Sequence, residues 1–226
     1  MTIELVVFDM AGTTVDEQNV VYKTVHQAIQ RAGFEVSLDE VLLHAAGKEK
    51  FQAILDVLQS KSNEQVAPET VMPVFRDFEA LLDHAYQELT PKAMPGAVYV
   101  FETLRSHGVK VVLNTGYKRK VAEGLLQKLG WEEGPTFDLL LTADDVPRGR
   151  PHPDMILAAM QRFQVTDPKL TAKIGDSIVD IEEGIAAGCS ISAGITTGAQ
   201  TAAQLQTATP THILTKLEDL LQIIDL

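Results

Sequence analysis

Short apolar, β-rich runs that end abruptly in polar or glycine residues punctuate the chain. They fall at residues 3–8, 109–113, 137–141, 170–174, 190–195 and, more weakly, 212–214. Between them, residues 97–106, 118–129, 154–163, 178–187 and 216–224 carry apolar positions at helical spacing. Alternation of this kind predicts an α/β fold built on a parallel sheet. Residues 16–90 break the alternation. Val21, Val25, Ala28, Ile29 and Ala32 recur at helical spacing, as do Phe51, Ile54, Leu55 and Leu58, and then Phe75, Phe78, Leu82 and Tyr86. Ser37 followed by Glu40 has the form of a capping box. The pattern predicts an all-helical cap over residues 16–90, inserted into a core of residues 1–15 and 91–226. Its return hinge is expected at T-P-K-A-M-P-G, residues 90–96. Residues 198–209 read as a loop followed by a short helix.

Composition narrows the partners. The 226 residues carry 19 basic and 31 acidic side chains, a formal net charge of −12. Nucleic acid and anionic membrane call for clustered Lys and Arg, so neither is an expected partner. One cysteine, Cys189, leaves no disulfide framework and no cysteine-based zinc site, and suits a reducing compartment. It reads as a small buried hydrophobe. The first residues lack the basic start and cleavage site of a signal peptide, and no apolar run approaches a spanning length, so a cytoplasmic protein is expected.

Ligands of open parallel sheets bind beyond the carboxyl ends of the strands, so the polar residues there carry the chemistry. The first run is followed by F-D-M-A-G-T-T-V-D, with Asp9 at the tip and Gly12, Thr13 and Thr14 beyond. The second leads into N-T-G-Y, with Thr115 at the tip. Arg148 and Arg150 lie in A-D-D-V-P-R-G-R-P, and Asp176 and Asp180 in G-D-S-I-V-D. Taken singly, each has a blander explanation: turn former, helix cap or surface charge. Together they suit phosphoryl chemistry. Carboxylates on adjacent strands can hold magnesium, one can serve as nucleophile, and hydroxyl and arginine can hold the equatorial oxygens.

On these motifs the whole chain resembles the haloacid dehalogenase superfamily. The resemblance implies a Rossmann-like α/β core with an inserted helical cap and a nucleophile at Asp9. It makes Thr115 the second motif, Arg150 the third-motif cation, and Asp176 with Asp180 the acidic fourth motif. Magnesium would be held by Asp9, the Ala11 carbonyl and Asp176, with Asp180 in support. Two departures from the common pattern stand out. Ala11 occupies the place of the general acid found in most family phosphatases, and Arg150 that of the usual lysine.

Both departures resemble the phosphonatase branch, as do D-x-A-G-T-T-V-D, T-G-Y and A-D-D-V-P-x-G-R-P. Cleaving a C–P bond releases carbon, so an acid poised over a bridging oxygen has no alkoxide to protonate. In that branch a cap lysine forms a Schiff base with the substrate carbonyl. The resemblance to a G-x-x-K arrangement at Gly47 makes Lys50 the candidate, with Lys48 its local competitor. Gly12, Thr13, Gly116, Tyr117 and Lys48 are the expected substrate contacts. A cysteine and a histidine of the branch are replaced by Asn19 and Ala53, and His44 is a substitute for the histidine. A homodimer through the cap helices near Val20 and Ile29 is expected by analogy. Two rivals remain open: a phosphomonoesterase, with Glu17 or water replacing the acid, and a phosphate-ligand binding protein without catalysis.

Overall fold

The structure, a computed structural model, describes residues 2–45, 48 and 50–225. Two compact units partition the chain: Met1–Asp16 with Pro91–Leu226, and Glu17–Thr90. In chain order the elements are β1 (Leu5–Asp9), β2 (Val15–Asp16), α1 (Val20–Arg31), α2 (Leu38–Ala45), α3 (Lys50–Ser60) and α4 (Pro68–Glu88). There follow β3 (Lys92–Ala93), α5 (Ala97–Ser106), β4 (Lys110–Thr115), α6 (Arg119–Leu129), β5 (Leu139–Thr142) and α7 (Asp154–Phe163). The last are β6 (Thr171–Gly175), α8 (Ile178–Ala187), β7 (Ile191–Ile195), α9 (Ala202–Gln206) and β8 (His212–Leu214).

The first unit is a parallel six-stranded sheet in the order β5-β4-β1-β6-β7-β8. Every residue of β1, β6 and β7 is buried, because helices cover both faces. This is why these strands read as continuous apolar runs rather than alternating ones. On one face Leu5, Val7 and Val112 pack against Met155, Ile156 and Ala159 of α7. On the other, Phe8 meets Phe101 of α5 at 5.4 Å between ring centres, and Phe101 meets Trp131 at 5.4 Å. Cys189 is buried in the α7 cluster.

The strands run slightly later than the apolar runs, because pairing continues through the first polar residue. Asp9 is in register with Asn114, and Thr115 with Thr142. Two elements depart from expectation. Residues 216–224 form not an α-helix but a 3-10 turn over Leu217–Gln222. There Leu217 and Leu220 bury three residues apart, the period of that helix. Asp219 ties down its start by accepting from the Thr215 and Lys216 amides, both at 3.1 Å. The second departure is a small antiparallel ribbon of β2 and β3, pairing Val15 with Ala93 and Asp16 with Lys92.

Among the described residues of the second unit, the regular elements are the helices α1 to α4. Contacts join α1 with α4, α2 with α3, and α3 with α4. Phe51 stacks edge-on against Phe75 at 5.6 Å, and Phe75 lies 6.0 Å from Phe78. The Ser37–Glu40 box forms: Ser37 N–H donates to Glu40 Oε2 at 2.8 Å, and Glu40 N–H to Ser37 Oγ at 3.2 Å. Among the described residues no helix is long and apolar enough to cross a membrane.

Candidate active site

Asp9 ends β1 because the chain turns sharply there. The Met10 carbonyl accepts from the amides of Thr13, Thr14 and Val15, and the Thr14 hydroxyl donates to the Asp9 carbonyl at 2.9 Å. The turn leaves the Asp9 carboxylate at the carboxyl edge of the sheet, almost wholly buried. Asp176 follows β6, the strand next to β1, and Asp180 lies in the first turn of α8. One oxygen from each of the three carboxylates lies within 4.8 Å of the others.

Arg150 closes the cluster. It sits beyond β5, before a cis peptide bond to Pro151. One guanidinium nitrogen donates to Asp9 Oδ1 at 2.6 Å and also to Asp180 Oδ1. Arg148 instead pairs with Asp154 at 2.7 Å, on the surface. Gly116 borders Arg150, since a Cβ there would stand 3.3 Å from its guanidinium. The Thr115 hydroxyl, buried at the β4 tip, accepts from the Tyr117 amide at 3.2 Å. Thr13 is buried, and its hydroxyl has no partner among the described residues. Ala11 offers a methyl group and no acid.

Asp176 is seated by a loop whose role is invisible in the sequence. Its Oδ2 accepts from the Ala199 amide at 2.7 Å. A Cβ on Gly198 would stand 2.0 Å from that oxygen, and one on Gly12 2.5 Å from it. Gly12 also has φ of 80°. Both positions therefore exclude a side chain. Thr197 Oγ1 bonds the Gly12 carbonyl at 2.7 Å, and Gln200 Oε1 accepts from the Ile178 amide at 2.6 Å.

A second group of polar residues, also absent from the sequence reading, lies beneath the cluster. Lys173 of β6 is fully buried. Its ammonium bonds Asn114 Oδ1 at 2.5 Å and lies 3.0 Å from Asp180 Oδ1 and 3.2 Å from Glu183 Oε2. The Asn114 amide donates to both Glu183 oxygens, at 3.0 and 2.9 Å. A lysine in T-A-K-I-G and an asparagine in V-V-L-N-T are the only hints the sequence carries.

Burial and charge divide the carboxyl groups. Burial pushes Asp9 up to about 6, with Arg150 opposing and Asp180 reinforcing. Asp176 is raised well above the ordinary range by burial and by Asp9 and Asp180. Burial also works against Asp180, but Arg150, Lys173 and the Ser177 hydroxyl overcome it and bring its pKa down to about 2. Four carboxylates, Asp9, Asp176, Asp180 and Glu183, face two cations, Arg150 and Lys173. The formal excess is two negative charges, the complement of one divalent cation, and the oxygen-only donor set suits a hard ion such as magnesium.

Lys48 and Lys50 belong to the helical unit, and Gly47 lies outside the described residues. Lys50 is the first residue of α3. Its ammonium donates to the Lys48 carbonyl at 2.6 Å and lies 5.4 Å from the Tyr22 ring centre. Lys48 pairs with Asp56. Glu17, weighed as a replacement acid, accepts from the Val20 amide at 2.7 Å at the start of α1. His44 is half-buried in the last turn of α2, Asn19 precedes α1, and Ala53 is buried in α3.

Comparison with known proteins identifies the setting. The family description "haloacid dehalogenase-like hydrolase" matches residues 3–188. The phosphonoacetaldehyde hydrolase of Bacillus cereus is 31% identical over 199 residues, covering 83% of this chain and 74% of that protein. A bifunctional phosphonoacetaldehyde hydrolase/aminoethylphosphonate transaminase of Clostridioides difficile is 29% identical over 195 residues; the match covers 82% of this chain and only 30% of that longer protein. In fold, the crystal structure of a predicted phosphoglycolate phosphatase from Haemophilus somnus superposes with a TM-score of 0.80. That pair is 20% identical, with 99% of this chain and 98% of that one covered.

Proposed function

Because this chain belongs to the haloacid dehalogenase-like hydrolases, on their phosphonatase-like branch, we propose that it cleaves the C–P bond of a 2-oxoalkylphosphonate such as phosphonoacetaldehyde, with magnesium as cofactor. The observation that carries this reading is the buried Asp9–Arg150 pair beside Ala11: a nucleophile with its cation, and no acid where an oxygen leaving group would need one. Bound magnesium would be held by Asp9, Asp176 and the Ala11 carbonyl, and would shield the negative charge of the phosphonate from the nucleophile.

Asp9, its carboxylate paired with Arg150, attacks phosphorus. Lys50 forms an imine with the substrate carbonyl, losing water. As the aspartyl phosphate forms, the electron pair of the C–P bond moves onto the neighbouring carbon and is taken up by the protonated imine as an enamine. The carbon then gains a proton, and water hydrolyses both the imine and the aspartyl phosphate. Thr115, Gly116 and Arg150 hold the phosphonate oxygens, Gly12, Thr13 and Tyr117 line the substrate's path, and Asp180 holds Arg150.

Two contacts favour the rival phosphomonoesterase. The carbonyl and aromatic ring around the Lys50 ammonium suit its charged form, whereas imine formation needs the free amine. Phosphate release from phosphonoacetaldehyde and its 2-oxo homologues decides between them. Asp9→Asn should cost at least about a thousandfold in turnover, and borohydride with substrate should trap a covalent adduct on Lys50. Full turnover by Lys50→Ala, with no adduct and brisk hydrolysis of phosphate monoesters, would establish the rival.

A further inference from the structure

Lysine is among the side chains least often fully buried, because its ammonium gives up hydration that only close partners replace. Lys173 stands in register with Val7 of β1, whose other neighbour, Val112, is apolar. Met or Leu would suit the position by packing alone. Gly184 of α8 has space for no side chain there; a Cβ on it would stand 2.9 Å from the Cβ of Lys173. Three acceptors surround the ammonium, Asn114, Asp180 and Glu183, so its three donors are matched and none remains for a ligand.

The informative contact is the shared oxygen. Lys173 and Arg150 both approach Asp180 Oδ1. Arg150 thus sits between two carboxylates, Asp9 and Asp180, each of which competes with any anion for its guanidinium. We infer that Lys173 is a positioning residue: its ammonium holds Asp180 and Glu183 neutralised, so that Arg150 can turn from Asp180 to an oxyanion arriving at Asp9. The inference rests on the catalytic reading above, since it needs an oxyanion at that site. Asn114 joins the two halves of the arrangement, accepting from Lys173 and donating to Glu183, and fixes where the ammonium stands.

The variants Lys173→Met with Glu183→Gln, and Glu183→Gln alone, test it. The double variant removes one buried charge of each sign, leaving Arg150 as the one cation paired with Asp180 among the described residues, beside the Ser177 hydroxyl. It should fold, bind magnesium within about threefold of the wild type, and bind vanadate in the presence of magnesium about tenfold more weakly, with KM raised more than kcat is lowered. Glu183→Gln leaves the ammonium to Asp180 and should hold vanadate affinity at or above that of the wild type. A folded double variant with unaltered vanadate affinity and KM would overturn the inference and reduce Lys173 and Glu183 to a structural pair. If the double variant does not fold, the single one decides: a tenfold loss in Glu183→Gln overturns the inference, and retained affinity supports it. A wild-type chain that takes up neither magnesium nor vanadate overturns the catalytic reading and this inference together.

Discussion

At the scale of single residues, the closest constraint is the space around Asp176. With a Cβ on Gly198 2.0 Å from its Oδ2, no alanine fits unless the carboxylate or the loop moves. Gly198→Ala should therefore weaken magnesium binding by at least about tenfold, read as a loss of the magnesium-dependent rise in melting temperature. A magnesium response equal to that of the wild type would show that the loop yields without cost. Cys189 gives the opposite kind of prediction. Burial pushes its thiol up to about 12, so the native protein should resist alkylation from pH 7 to 9 and react only after denaturant is added.

Among the elements, α2 begins at a capping box that ties down its first turn. Ser37→Ala should cost about 1 kcal/mol, measured by urea denaturation. Its acid partner Glu40 also pairs with Lys61 at 2.5 Å, and hydrogen bonds to Lys61 and Ser37 bring its pKa from 4.5 down to about 2. A depressed carboxylate stabilises the fold above its unfolded pKa, and the contribution fades as pH falls from about 4.5 toward 2. Glu40→Gln should flatten that part of the acid transition, followed by circular dichroism. The elements also show what a sequence conceals. Asp9, Thr115 and Asp176 were legible because each stands at the end of an apolar run that must be a strand, and parallel strands deliver their ends to one edge; Asp180 follows one helical turn beyond Asp176. Lys173, Asn114 and Glu183 were not, because nothing local distinguishes a polar residue aimed beneath a site from one aimed at water. The loop at Thr197–Gln200 stayed hidden for a related reason: its partners, Gly12, Asp176 and Ile178, are distant in sequence. The β2–β3 ribbon, with two residues a strand, is too short for any periodicity.

Across the whole molecule, the net charge of −12 divides into a surface share and a buried one. At the Asp9 cluster the formal excess of two negative charges is what a divalent ion offsets and what a monovalent one leaves half uncompensated. Magnesium at a hundred times its dissociation constant should raise the melting temperature by roughly 5–10 °C. Sodium at equal ionic strength should leave it nearly unchanged, and Asp176→Asn should abolish the magnesium response. Equal shifts from both salts would mean that screening, not a site, is being measured.

The order of strands bears on the birth of the protein. β1 is synthesised before both of its neighbours in the sheet, β4 and β6, which are made about 100 and 160 residues later. Residues 17–90, contiguous in the chain, can complete their helices on the ribosome while the first strand still waits. Translation at roughly 5–20 residues per second leaves Leu-Val-Val-Phe unpaired for many seconds. During that interval the segment that will present Asp9 is an apolar strand without its sheet partners, the kind of surface that chaperones cover.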